Sequence, residues 1–179
     1  MGNPHIYPVP VNIFIATRLL TEAEIKALPT TAIDLIPAPG ANYRIKPLAL
    51  TCVGTFASAG YTNINATYAS MQLQTGGGLW VSVAVSNDSS VSPVLTALTD
   101  FFAIGAGRIM DVPIPFMYTN VDSTFTFQGY VQPNLNTLSS VENSKLQLAV
   151  DNNGSGDFTG GNVNNRLRVT VYYTIERCQ

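Results

Sequence analysis

The sequence contains few charged residues. Asp, Glu, Lys and Arg make up 11% of its 179 residues, less than half of the ~25% usual in a soluble domain. Because a monomer needs surface charge for solubility, such a chain is expected to cover much of its surface with copies or partners. The alternative is a monomer kept soluble by abundant Asn, Ser and Thr; we favour assembly.

Other absences exclude classes of partner. The nine basic residues are scattered and the net charge is -2, which disfavours nucleic-acid binding through phosphate contacts. No apolar run is long enough to cross a bilayer, and the N-terminus lacks the order of a signal peptide. We therefore expect no membrane partner and assembly in a cytoplasm. Cys52 and Cys178 are expected to be free thiols.

The groups needed for catalysis are also scarce. His5 is the only histidine, so no Ser or Cys has an imidazole base placed to activate it. The acidic residues lie mostly at turns and caps, and the triple glycine at 76–78 lacks the Lys of a phosphate-binding loop. The sequence predicts neither an enzyme nor a cofactor.

Strict alternation of apolar and polar residues is the strongest positive signal. It runs from Arg166 to Glu176 and predicts a strand with one buried face. The residues expected on that face are Leu167, Val169, Val171, Tyr173 and Ile175. Lys145 to Val150 alternates in the same way, with Leu146, Leu148 and Val150 inward. Asp151 to Asn165 is rich in Gly, Asn and Asp, so we expect a hairpin that joins the two strands.

Other segments predict further strands and two short helices. Val11 to Leu20 predicts a strand with Val11, Ile13, Ile15 and Leu19 inward. Between Tyr43 and Phe56 the apolar residues switch from odd-numbered to even-numbered positions near Pro47. This switch indicates a bulge or an edge position. Thr21 and Glu24 form a capping box for a helix that ends near Leu28, and helical spacing predicts another helix over 93–103.

The whole pattern has eight or nine strands and no alternation of strands with helices of the βαβ type. It predicts an all-β protein, a two-sheet antiparallel sandwich of the jelly-roll type with two short helices. Residues 13–179 would form this single domain. Residues 1–12 hold three prolines and are expected to form an extended arm.

The loop at 151–157 has the spacing of half a calcium-binding loop. Its oxygen-bearing side chains stand at alternate positions, with Gly156 in the sixth place. They are Asp151, Asn153, Ser155 and Asp157. Position twelve is Asn162 instead of a bidentate Glu, and the flanking segments are strands. We therefore favour a turn without metal. Its length suggests a contact with another molecule.

Two stretches resemble segments of small virion proteins of tailed bacteriophages. They are Ile25–Leu50, with its Leu-Pro-Thr-Thr step and Pro-Ala-Pro-Gly turn, and Asn143–Ile175, with Thr-Gly-Gly before a closing Val-Tyr-Tyr strand. They cover roughly a third of the chain. Many of those virion proteins have Pro at the position of Ala32 in this sequence. The resemblance implies a structural virion component and transfers no catalytic residue.

These observations lead to one hypothesis and two alternatives. The hypothesis is a capsid decoration or cement protein, a homotrimer that binds the major capsid protein and is located in the virion. Its contacts are expected in the arm and the long loop, at Pro4, Tyr7, Pro8, Pro10, Asp151, Asn153, Asp157 and Phe158. One alternative is a tail or fibre module that binds glycans through Trp80, Tyr61 and Tyr68. The other is the shell-forming coat itself, which the lack of Lys and Arg in the arm disfavours.

Overall fold

A computed structural model describes residues 12–56, 59–65, 69–75, 80–85, 102, 105–113 and 142–178. They form ten strands and one helix. In chain order these are β1 (Phe14–Leu20), α1 (Glu22–Ala27), β2 (Ile33–Ile36), β3 (Tyr43–Phe56), β4 (Tyr61–Thr62), β5 (Ser70–Thr75), β6 (Trp80–Val85), β7 (Gly105–Pro113), β8 (Leu146–Asp151), β9 (Thr159–Gly160) and β10 (Arg166–Arg177).

Eight of these strands form two antiparallel sheets. Sheet A has the order β1-β10-β3-β7, and sheet B has the order β2-β8-β5-β6. When these eight are counted in chain order, the sheets read 1-8-3-6 and 2-7-4-5. This is the jelly-roll arrangement, in which consecutive strands repeatedly move from one sheet to the other. The predicted all-β antiparallel sandwich is confirmed.

The core lies between the inner faces of the two sheets. Leu50 and Cys52 of β3 are buried there, as are Met71 and Leu73 of β5. The Cys52 Sγ and Met71 Sδ atoms lie 3.9 Å apart, which places the two sheets in direct contact. The Leu50, Met71 and Leu73 side chains each contribute about 1.5–3 kcal/mol to folding by leaving water. Cys52 is a free thiol within this core, as expected.

A bulge in β3 interrupts the pairing of β3 with β10. Tyr172 lies opposite Ala49 and Tyr173 lies opposite Pro47, so Leu48 is the extra residue. The parity change near Pro47 therefore marks a bulge, as predicted, although β3 is a central strand and not an edge. Burial along β10 changes at the same place. Leu167, Val169 and Val171 are buried as expected, but Thr174 is buried and Ile175 is exposed, so the expected uninterrupted alternation is wrong.

The predicted hairpin between β8 and β10 is wrong. β8 pairs with β2 and β5 in sheet B, whereas β10 pairs with β1 and β3 in sheet A. Both ladder edges of each strand are occupied, so β8 and β10 cannot pair with each other. Residues 152–165 instead form a connection that crosses between the sheets.

The inward face of β1 is also the opposite of the expected one. Leu20 is fully buried and Ala16 packs against the core. Ile13, Ile15 and Leu19 are 58%, 62% and 59% exposed. Both faces of this strand are apolar, so alternation alone could not select between them. Arg18 lies on the same face as Ala16 and Leu20. Its guanidinium donates to Glu24 Oε1 at 2.8 Å and to the Asp34 carbonyl oxygen at 2.6 Å.

Several predicted features lie outside the described residues. They are residues 1–11 of the arm, most of the second helix at 93–103, and residues 123–131, whose apolar residues Phe125, Phe127 and Val131 predict a further strand.

Candidate functional site at the crossover end

Four of the connections that cross between the sheets meet at one end of the sandwich, here called the crossover end. They contain α1, the segment 59–65, Phe102 and the loop 152–165. Main-chain hydrogen bonds join them: Phe158 N–H donates to Lys26 O, Tyr61 N–H to Phe102 O and Gly161 N–H to Gly60 O, at 2.9–3.0 Å. The crossover end is therefore one connected surface made from four distant parts of the sequence.

The helix α1 is fixed by the capping box that the sequence predicts. The Glu24 N–H donates to Thr21 Oγ1, and the Thr21 N–H donates to Glu24 Oε2 at 2.9 Å. The main-chain hydrogen bond from Thr21 and the guanidinium of Arg18 hold the pKa of Glu24 below its usual value. The ionised carboxylate thus links α1 to strand β1.

Two asparagines connect the loop 152–165 to the segment 59–65. The Asn63 side-chain amide donates to the carbonyl oxygens of Ser155 and Asp157, both at 2.8 Å. The Asn152 amide donates to the carbonyl oxygens of Asn63 and Gly156, and its Oδ1 accepts from the Asn65 N–H, all at 2.8 Å. Asn152 is only 3% exposed. We call Asn63 and Asn152 the asparagine clasp.

A short strand pair extends this connection. β4 and β9 pair antiparallel, and the Thr62 and Thr159 hydroxyl oxygens lie 2.8 Å apart. The fully buried Asn165 donates to the Ala59 carbonyl oxygen at 2.8 Å. Gly161 has φ +77°, and a Cβ there would lie 2.7 Å from a Tyr61 ring carbon. Because side chains satisfy the main-chain groups, the loop can be held at a fixed position without regular structure.

Four aromatic rings fill the space beneath the clasp. Phe56, Tyr61, Phe102 and Phe158 form ring contacts with centroid distances of 5.3–6.2 Å. Burial raises the pKa of Tyr61 to about 12. Aromatic pairs at such distances add about 0.5–1.5 kcal/mol beyond area burial. The polar loop therefore rests on a hydrophobic base.

The predicted contact residues of the loop are only partly accessible. Asp151, Asn153 and Asp157 are exposed. Phe158 is 2% exposed and belongs to the core cluster, so the prediction that it contacts a partner is wrong. Its N–H and ring are held by α1 and the aromatic rings, which turns it inward. Pro4, Tyr7, Pro8 and Pro10 lie outside the described residues.

The two aspartates of the loop with calcium-like spacing, for which a turn without metal is expected, have hydrogen-bond partners within the chain. Asp151 Oδ1 accepts from the Asn153 N–H at 2.9 Å, and Asp157 Oδ1 accepts from the Thr30 hydroxyl at 2.6 Å. Positive φ angles at Asn153, Gly154 and Gly156 fold the loop into tight turns. Within the described part of the chain, no three His, Cys, Asp or Glu side chains are grouped to hold a metal ion.

The aromatic surface expected for glycan binding is not formed as predicted. Tyr61 is 6% exposed, with its ring inside the aromatic cluster. Tyr68 and the Trp80 side chain lie outside what the structure describes. The sequence predicts a loop over residues 57–62, and a loop has no alternation that reveals burial, so Tyr61 is expected at the surface.

A shallow cavity of about 430 Å³ lies between the α1–β2 connection and sheet B. Its polar lining consists of Thr30, Thr31, Gln72, Gln74 and Asp151. Gln74 donates to Gln72 Oε1, and Gln72 donates to Ser70 Oγ. Asp151 is the one titratable residue in the lining, so these walls do not hold an acid–base pair.

No family model, curated protein or solved structure matches this chain. No helix in the described ranges has the length and apolarity needed to cross a lipid bilayer.

Proposed function

We propose that this protein is a structural component of a tailed-bacteriophage virion that decorates or cements the capsid. The observation that carries the proposal is the crossover end, where a loop with a single charged side chain, Asp157, is fixed by buried amides and exposes its tip. Such a preorganised surface loses little conformational entropy on docking, which favours binding. The low charge and the resemblance of two segments to virion proteins support the same role.

Its mechanism would be linkage between binding and assembly. A protein that binds the assembled shell, and not free coat subunits, adds its binding free energy to the stability of the shell. The exposed tip, which includes Asn153, Ser155 and Asp157, would contact the major capsid protein. Copies of the chain would contact one another. A homotrimer is the stoichiometry predicted from the sequence.

The experiment compares two exposed positions at opposite ends of the sandwich. Ser155→Arg places a bulky charge on the crossover tip, and Ala41→Arg places the same side chain on the turn between β2 and β3. We expect Ser155→Arg to reduce occupancy on phage particles at least about tenfold, equivalent to ~1.4 kcal/mol. Ala41→Arg should bind like the wild type.

Particle occupancy is measured by co-sedimentation with particles assembled without this protein. Equal occupancy for both variants would show that the crossover tip is not the contact. Deletion of residues 1–12 tests the arm in the same assay, and unchanged occupancy means that the arm is not needed. No binding of the wild-type protein to particles would overturn the virion role itself.

The glycan-binding alternative has weaker support. Tyr61 is buried, and the cavity beside sheet B has no aromatic residue in its lining, whereas sugar rings commonly stack on exposed aromatic side chains. A glycan array probed with the purified protein would test it, and a specific signal would favour the alternative.

A further inference from the structure

The outer ridge of β1, defined as Ile13, Ile15 and Leu19, is the largest run of exposed apolar side chains among the described residues. Phe14, on the inward face at the start of the strand, adds a ring that is 42% exposed. β1 is an edge strand: among the described strands it has a neighbour only on its β10 side. An apolar ridge and an open ladder edge therefore coincide on one strand.

Edge strands in soluble proteins usually carry features that prevent pairing with other chains. These are prolines, outward lysines or bulges. The segment Phe14–Leu20 has no Pro or Lys, and its pairing with β10 runs without a register shift. Its one charge, Arg18, is bound to Glu24 and to the Asp34 carbonyl oxygen. The residues of β1 therefore do not prevent another strand from pairing with this edge.

We propose that sheet A continues through β1 into the β1 strand of a second copy of this chain. The sequence of β1 is complementary to itself in the antiparallel direction. If a two-fold axis passes through Thr17, then Thr17 faces Thr17 of the second copy and Ile15 faces its Leu19. Phe14 then faces its Leu20. Each apolar residue of the ridge within β1 thus meets an apolar partner directly across the strands.

The size of this surface predicts a weak association. Strand pairing covers only the flanks of these side chains, so it buries less than the exposed area of Ile13, Phe14, Ile15 and Leu19, which is about 400 Å² per copy or ~800 Å² for two, below standard interfaces. We therefore expect a dimer with a dissociation constant in the micromolar range. This pairing does not depend on the proposed virion role, because only the chain itself is needed.

Cross-linking tests the register. Residues that face each other in an antiparallel pair have Cα atoms about 4.5–5.5 Å apart, within the range that a disulfide bridges. Thr17→Cys, made in full-length protein with Cys178→Ser, should form a covalent dimer under mild oxidation. Leu19→Cys in the same background is the matched control, since the two Leu19 positions would lie ~13 Å apart and should not cross-link.

Association is measured separately by sedimentation of the full-length chain between about 1 and 500 μM, across the expected micromolar range. Ile15→Lys should raise the dissociation constant about 100-fold, because the two-fold axis introduces two lysines. Val163→Lys, at a 73% exposed position in the loop 152–165, should leave it unchanged. A monomer at all concentrations, a trimer, or equal cross-linking of both cysteine variants would overturn the pairing. Particle binding can succeed or fail independently of these results.

Discussion

The crossover end and the β1 edge distribute polar and apolar residues in opposite ways. At the crossover end, Asn152 and Asn165 are buried while the loop above them remains exposed. At the β1 edge, Ile15 and Leu19 face outward. Burial at the first site follows hydrogen-bonding capacity, because an irregular loop has main-chain groups that only side-chain amides can satisfy there. Exposure at the second site marks a surface available for contact.

The largest effect is expected from Asn152→Ala. This change removes the three hydrogen bonds that the side chain makes to the carbonyl oxygens of Asn63 and Gly156 and to the N–H of Asn65. These bonds are only partly buried, and each contributes about 0.5–1.5 kcal/mol net, so the free energy of unfolding should fall by about 3 kcal/mol. Denaturant titration measures this loss.

Asn164→Ala is the matched control for this measurement. Asn164 is exposed in the same loop, and its replacement should change stability by less than about 0.5 kcal/mol. If Asn152→Ala lowers the free energy of unfolding as little as Asn164→Ala, the asparagine clasp does not hold the crossover end in place. The rigidity of the crossover end then cannot support docking.

Much of the fold could be predicted from local sequence, but the partners of each strand could not. The Thr21–Glu24 capping box and the bulge near Pro47 are encoded by adjacent residues, and both are present. The expected β8–β10 hairpin failed because alternation specifies a buried face and not a neighbouring strand. A jelly roll distributes consecutive strands over two sheets, which no local pattern reports.

The candidate site was harder to predict than the fold. The exposure of Asp151, Asn153 and Asp157 follows from the Gly- and Asn-rich composition of their loop. The calcium-like pattern includes only the alternate positions 151, 153, 155 and 157, so it does not indicate a role for Asn152. The burial of Phe158 could not be predicted from periodicity, because a loop has none. A single aromatic residue within a Gly/Asn-rich loop is a signal for an anchor in the core, and it could have placed Phe158 correctly.

A smaller, pH-dependent effect is expected from Tyr61 beneath the clasp. Its pKa is raised from 10.0 to about 12 in the folded protein, so the folded state keeps the proton that the unfolded chain loses. The resulting stabilisation is complete below pH ~10 and disappears as the pH rises towards 12. Two pKa units correspond to about 2–3 kcal/mol.

Tyr61→Phe isolates this contribution, because the ring remains and the ionisable hydroxyl is removed. The difference in unfolding free energy between the wild type and this variant, measured from pH 8 to pH 12, should shift towards the variant above pH ~10. A constant difference across this range would mean that Tyr61 ionises as readily in the folded protein as in the unfolded chain.

The smallest effect is expected at the outer ridge of β1, and it tests the comparison most directly. Ile15 is 62% exposed, so Ile15→Thr should change the unfolding free energy of the dilute monomer by less than about 0.5 kcal/mol. Leu20→Ala, on the buried face of the same strand, should cost about 3 kcal/mol. Denaturant titration at low protein concentration measures both. If Ile15→Thr costs more than about 1 kcal/mol, the ridge is covered by the chain's own residues and not by a second copy. If the change is neutral, folding of the monomer does not account for the apolar character of the ridge, and association with another copy supplies a physical reason for it.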